Sequence, residues 1–264
     1  MFRLTREVRF AINPEPDDPS AAAGRNGFGG SPCLLGIGHY FALEVTLVGE
    51  PDATTGCIRD IKEIDRAVRE RAVPLAVAFV RRGRFGGGGS LVARFYELLK
   101  DAWPGGTFHH LRLALSPTLS LSLFASEYPM VRLSQKFEFS ASHRLHNPAL
   151  SDEENRKLFG KCNNPHGHGH NYVVQVTLVG RPDANGLVIA VPRFEQIVAS
   201  TVIEPLDHKN LNVEIPQFSD LIPSVENIAL VIFRMLKPQF ATTGATLAGI
   251  TVWETPKTWC EYME

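Results

Sequence analysis

Apolar and polar residues alternate with a period of two along several stretches of this chain, the pattern of strands that bury one face. Phe137, Phe139, Ala141 and His143 share one such face, and His168, His170, Tyr172, Val174, Val176 and Leu178 share another. Both stretches read as half-buried strands of an antiparallel sheet. The period then lengthens. A first helix is predicted around Val191 to Val202, and a second from a Ser224 cap, with Glu226 and Asn227 in its first turn, to about Lys237. Gly249 to Thr255 and Trp259 to Met263 supply two closing strands, with Pro256 near the turn. The predicted unit is α+β: two strands, two helices, two strands.

The unit occurs twice. Gly36 to Asp52 lies over Gly167 to Asp183 without a gap, matching Val-Thr-Leu-Val-Gly and then Pro-Asp; Pro74-Leu75 falls over Pro205-Leu206, and Ser116-Pro117 over Thr255-Pro256. Two tandem domains are expected, 1–128 and 129–264. Two glycine- and proline-rich breaks, residues 14–33 and Gly83 to Gly89, interrupt the first copy. A phosphate-cradling loop would need a Gly-Lys-Ser/Thr ending, which neither has, so both read as loops.

With 27 Lys+Arg against 28 Asp+Glu, the net charge of −1 excludes a basic stripe for nucleic acid and a polybasic membrane anchor. The opening residues lack the apolar core of a secretory signal, and the most apolar stretch, Leu111 to Phe124, is broken by Arg112 and Pro117. A soluble, cytoplasmic protein is expected. Cys33, Cys57, Cys162 and Cys260 are too dispersed for a disulfide framework and are expected as thiols.

The strongest chemical signal is Cys162-Asn163-Asn164-Pro165-His166-Gly167-His168-Gly169-His170. Histidines two apart on a strand point the same way, so His168 and His170 can converge on one ion. His143, at the end of the preceding strand's apolar face, would complete a three-histidine site; His166 has the same parity and competes for that place. Three neutral ligands leave zinc its full charge and an open position, the catalytic pattern. Cys162 is a fourth ligand, an inert buried thiol, or, if it stays near the metal without binding it, a low-pKa base. In Asp207-His208 a carboxylate stands beside an imidazole, as a proton relay requires and as many surface turns also show. Glu254 puts a carboxylate on the inward face of Ile250 and Val252, where it needs either a cationic side chain or a ligand with two parallel donors.

Taken together, these motifs resemble the 6-pyruvoyltetrahydropterin synthase family and its bacterial relative, 6-carboxytetrahydropterin synthase. The resemblance runs from Phe139-Ser140-Ala141-Ser142-His143-Arg144-Leu145-His146 through Phe159 to Pro165, Gly167 to Tyr172 and Pro205 to Leu211, ending at Glu254-Thr255. It implies zinc on His143, His168 and His170, Cys162 as base, Asp207 and His208 as relay partners, Glu254 as pterin anchor, and Ser224, Val225 and Glu226 along the pterin pocket. Val225 departs from the family's Thr-Thr-Glu type segment. The implied substrate is 7,8-dihydroneopterin triphosphate, with no nicotinamide or flavin. Two products follow: 6-pyruvoyltetrahydropterin, of tetrahydrobiopterin biosynthesis, which the spacing of Cys162 to His168 favours, or the 6-carboxy compound of a queuosine-type pathway.

The first copy has Asn13 or Pro14 over His143, Ile37 over His168, Ala76-Val77 over Asp207-His208 and Leu115 over Glu254; only His39, over His170, survives. It is expected to be catalytically silent and structural. The family's T-fold, an antiparallel sheet with two helices on one face, closes a barrel from three units, so the resemblance implies a trimer of double-copy chains with three zinc ions. Two other readings remain: a non-catalytic zinc- or pterin-binding scaffold, against which an intact Cys162, Asp207 and His208 argue, and an unrelated zinc hydrolase with Glu254 as base.

Overall fold

The structure, a computed structural model, describes residues 1–14, 28–82, 87–103 and 107–264. They form two compact units: Met1–Leu133 with Gly180–Val188, and Ser134–Val179 with Ile189–Glu264.

In the first unit, β1 (Phe2–Ile12) pairs with β2 (His39–Gly49), β2 with β3 (Thr107–Ala114), and β3 with β4 (Leu119–Phe124), all antiparallel. Val8, Phe10, Leu43, Val45, Leu47, Leu111 and Leu113 alternate onto one buried face. It is covered by α1 (Ile61–Ala67), a π-helical turn at Val68–Ala72, α2 (Val73–Arg81) and α3 (Gly88–Leu99), which contribute Ile64, Val68, Val92, Phe95 and Leu99. Of the two expected loops, residues 15–27 and 83–86 lie outside the described residues. Gly88 and Gly89, expected in a loop, instead begin α3. The Gly186 carbonyl accepts from the Gly89 and Ser90 N–H groups at 2.9 and 3.2 Å and so supplies the cap. A Cβ at position 89 would lie 2.9 Å from that oxygen, which excludes any side chain there.

In the second unit the strand order is β5 (Val131–His143), β6 (His168–Gly180), β8 (Thr246–Thr255) and β9 (Thr258–Met263); β7 (Lys209–Asn210) runs parallel to β5 at Ala141 and Ser142. Between β5 and β6 stands α4 (Asp152–Phe159), started by a capping box of Ser151 and Glu154. Then come α5 (Val191–Val198), a π-helical turn at Ala199–Ile203, α6 (Glu204–Leu206), α7 (Leu211–Glu214) and α8 (Val225–Phe240). Ser224 caps α8 as expected, its hydroxyl accepting from the Asn227 N–H at 3.4 Å. The helix does not stop at Lys237. It continues through Pro238 because Phe240 is buried against Phe194, ring centroids 5.9 Å apart, and that packing outweighs the donor lost at the proline. Phe139, Tyr172, Val174, Val176, Ile250 and Val252 form the buried sheet face.

The units share internal irregularities. The β2–β3 register shifts between Thr46 and Leu47 and the β6–β8 register between Thr177 and Leu178; the π-helical turns start at Val68 and Ala199. Each pair is displaced by 131 positions (46 to 177, 68 to 199). The same displacement sets Ile12, the last residue of β1, at the place of His143. That corrects the assignment of Asn13 or Pro14, and Asn13 instead binds the Cys33 carbonyl and the Leu35 N–H, each at 3.0 Å.

Among the described residues β1 pairs only with β2 and β9 only with β8, so the sheet is open and one chain closes no barrel. All four cysteines are thiols. No described helix is long and apolar enough to cross a membrane.

Candidate metal centre and active site

Three strands of the second unit bring four side chains to one point. His143 ends β5, His168 and His170 open β6, and Glu254 lies near the end of β8, whose Val252 pairs with Val174. One ligand-type atom from each falls within 4.8 Å of all the others. The His143 Nε2 lies 3.1 Å from His168 Nε2 and 3.2 Å from Glu254 Oε1, and Glu254 Oε1 lies 3.4 Å from His170 Nε2. Bonds of about 2.0–2.1 Å to a tetrahedral zinc set its ligand atoms about 3.3–3.4 Å apart. The three separations match such edges, so the donor set fits a zinc-sized cation. Among the described residues no other group of three or more His, Cys, Asp or Glu side chains has this geometry, and none lies in the first unit.

Local sequence explains the aim of each ring. His143 is wholly buried, and its Nδ1 lies 2.7 Å from the carbonyl of Pro223, which precedes the α8 cap. The donor there is Nδ1–H, which leaves the Nε2 lone pair facing the cluster. Gly167 has φ +74°, and a Cβ there would lie 3.0 Å from the His143 carbonyl oxygen; glycine is needed to pass β5 and enter β6 at His168. That turn also ends the parity that linked His166 to the site. His166 lies before the strand, exposed and outside the cluster.

Burial lowers the pKa of His143, against its hydrogen bond to the Pro223 carbonyl, which raises it; burial likewise lowers that of His170, against the Glu254 charge. Both shifts favour the neutral ring, the form that can donate a lone pair. Among the described residues His170 Nε2 and His168 Nδ1 are buried without a hydrogen-bond partner. Such groups are costly in a closed interior, and a cation shared among the rings removes part of that cost. Beneath them lies Tyr172, completely buried, stacked on Phe139 at 5.0 Å and edge-on to His143 and His170 at 6.1 and 5.5 Å. Burial first, then the Glu254 and Cys162 charges, raises its phenol pKa. The sequence marked Tyr172 only as a strand-face residue; its lone signal was its place two positions after His170.

Glu254 has no lysine or arginine partner among the described residues; its neighbours are the imidazoles. Cys162 sits on the 3₁₀ turn Gly160–Asn163, half-buried, its carbonyl accepting from the Leu145 N–H at 2.9 Å. The thiol is outside the four-residue cluster yet near enough to Tyr172 for its charge to act there. The fourth member of the cluster beside the three imidazoles is Glu254, not Cys162.

Asp207 and His208 pair directly, carboxylate to Nδ1, at 2.8 Å. The Ser140 N–H donates to the Asp207 carboxylate at 2.8 Å, and the His208 N–H donates to the Ser140 carbonyl at 2.5 Å, pinning the pair to β5. The Ser140 N–H and then His208 hold the Asp207 carboxyl below its usual range. His208 has φ +58°, uncommon for a residue with a side chain and typical of sites held under constraint. Its side chain is 83% exposed, and it lines a cleft of about 530 Å³ with His170, Asn171 and Glu214. No hydrogen bond or ion pair among the described residues joins the pair to Cys162. Ser224 is occupied with its cap, and Glu226 is exposed, its charge adding to burial in raising the Cys260 thiol.

An antiparallel α+β unit that converges three imidazoles and a carboxylate, with a free thiol nearby, defines a metalloenzyme-type centre. The family profile of 6-pyruvoyl tetrahydropterin synthase matches residues 132–264, and the chain belongs to that family. The human 6-pyruvoyl tetrahydrobiopterin synthase is 49% identical over 107 residues, 40% of this chain and 74% of that protein. The Drosophila melanogaster protein of the same name is 38% identical over 138 residues, 52% of this chain and 82% of its own. A Haemophilus influenzae 6-carboxy-5,6,7,8-tetrahydropterin synthase is 29% identical over 156 residues, 51% of this chain and all of its own. Among solved structures, the Caenorhabditis elegans 6-pyruvoyl tetrahydropterin synthase is 39% identical, with a TM-score of 0.49 over 52% of this chain and 96% of that one.

Proposed function

We infer that this protein is a zinc-dependent lyase that acts on 7,8-dihydroneopterin triphosphate, eliminates triphosphate and yields 6-pyruvoyltetrahydropterin. The observation that carries this reading is the convergence of His143, His168, His170 and Glu254 with Cys162 close by but outside the cluster, in a chain of this family. Higher identity to relatives named for the pyruvoyl product than to one named for the carboxy product supports the first outcome.

His143, His168 and His170 would hold the zinc, which when bound would supply Lewis acidity that makes the C–H bonds beside the substrate's side-chain hydroxyls easier to deprotonate. Cys162, as thiolate, takes a carbon-bound proton. The Asp207–His208 pair donates and accepts protons at the same side chain; its exposure supports delivery to the site of a neighbouring copy. Glu254 accepts the amino and ring N–H donors of the pterin, with Ser224, Val225 and Glu226 beside it. Tyr172 and Phe139 form the floor and exclude water.

We assign residues 1–128 and 129–264 to two copies of one unit, the first without catalytic residues. The common displacement of bulges and π-helical turns supports the duplication. The open edges at β1 and β9 support closure by other chains, and three double-copy chains with three zinc ions satisfy ring symmetry.

Phosphorus NMR of the zinc-loaded protein with substrate tests the reaction: inorganic triphosphate is released, and Cys162→Ala abolishes release while zinc is retained. Release that survives Cys162→Ala would favour a hydrolase acting through metal-bound water.

A further inference from the structure

Beside the turn that carries Cys162 lies a second pocket, of about 270 Å³, lined by Arg144, Asp152, Arg156, Lys161, Asn163 and Asn164 among others. Three cations face one carboxylate. Arg144 is half-buried and held in place: its backbone N–H donates to Asn212 Oδ1 at 2.7 Å and its carbonyl accepts from Asn212 Nδ2 at 2.9 Å. Its guanidinium donates through Nε and Nη2 to Asn163, at 3.2 and 3.4 Å, and Nη1 has no partner among the described residues. Arg156 and Lys161 form no ion pair or side-chain hydrogen bond among the described residues, and Asp152 neutralises neither. Cations left unpaired around a concavity make a field that favours a multiply charged anion.

The pocket's position narrows the ligand. Arg144 follows the ligand-type His143 in sequence, and Lys161 and Asn163 flank Cys162, so consecutive Cα atoms about 3.8 Å apart link pocket and centre. In the proposed substrate the phosphates hang from the carbon next to the side-chain hydroxyls at the centre. Such a chain of phosphates needs cations adjacent to the centre, and Arg144 and Lys161 are one residue away in sequence from His143 and Cys162.

We propose that Arg144, Arg156 and Lys161 form a polyphosphate subsite that takes the triphosphate group of the pterin substrate and holds the leaving group as it departs. This rests on the pterin reading above. Arg144 supplies the rigid donor next to the centre, and Arg156 and Lys161 supply mobile charges toward solvent.

The test is calorimetric titration of the zinc-loaded protein with two separate probes, inorganic triphosphate and phosphate-free 7,8-dihydroneopterin. The variants are Arg156→Gln and the double variant Arg156→Gln, Lys161→Gln, both at exposed positions where the fold is insensitive, as circular dichroism verifies. The proposal expects inorganic triphosphate to bind wild type and to weaken about tenfold or more per cation removed, while phosphate-free pterin binds all three proteins equally. Triphosphate affinity unchanged in the double variant, or absent in wild type, overturns the subsite and leaves the pterin reading standing. Phosphate-free pterin that fails to bind wild type overturns the pterin reading, while charge-dependent triphosphate binding would still assign the pocket to a polyphosphate.

Discussion

The His143 Nδ1 donates to the carbonyl of Pro223 at 2.7 Å, and this bond fixes which ring nitrogen faces the centre. It also ties the end of β5 to the segment that starts α8, so the deepest imidazole is oriented by backbone eighty positions away in sequence. A metal ligand held this way loses little freedom on binding.

Removing that ring should remove the metal. His143→Ala is expected to weaken zinc binding by more than about a hundredfold, beyond what loss of an outer-shell partner costs, as read by chelator competition. Retention of stoichiometric zinc at wild-type affinity would exclude His143 as a ligand.

Glu254 is placed by sequence as a pterin anchor and by structure within 3.2 Å of His143 Nε2. Glu254→Gln keeps the three imidazoles, so zinc is expected to stay bound. The KM should rise about ten- to hundredfold, the worth of a charge-assisted hydrogen-bond pair. Steady-state kinetics checks this; an unchanged KM with lost zinc would make Glu254 a ligand only.

The floor of the site is also its structural support. Phe139→Ala removes the ring stacked on Tyr172 in a buried layer and should cost about 3–5 kcal/mol of stability. Urea denaturation of the metal-free protein measures it, and a loss below about 1 kcal/mol would contradict this packing role.

Acid should destabilise the first unit through His110. Burial above all, then the charges of His109, Arg112 and Arg132, lowers its pKa from 6.5 to about 4, against Glu127. A depressed folded-state pKa means that the unfolded chain binds more protons between these values. Stability is therefore complete above pH 6.5 and falls as pH drops toward about 4. Urea midpoints at pH 7.5 and 4.5 should differ less in His110→Gln than in wild type, and equal differences would remove His110 from the account.

Much of this was legible in the sequence because it is local. Period-two alternation placed the faces of β5, β6 and β8, and the pair His168 and His170 announced itself by spacing. Ser151 and Glu154 carry a capping signature that foretells α4, although the surrounding polar residues gave it no apolar stripe to stand out by. What could not be read depends on contacts between distant segments: the Pro223 carbonyl behind His143, the Gly186 carbonyl that turns Gly88 and Gly89 into a helix start, and the approach of Glu254 to the imidazoles. His166 misled by parity, which holds only inside a strand, and Gly167 bends the chain before the strand begins.

The central claim is that this centre converts a pterin triphosphate. Mass spectrometry of the product after incubating the zinc-loaded protein with 7,8-dihydroneopterin triphosphate tests it most directly. The account predicts 6-pyruvoyltetrahydropterin, with no conversion once a chelator has stripped the metal. Recovery of unaltered substrate from the fully zinc-loaded protein would contradict it.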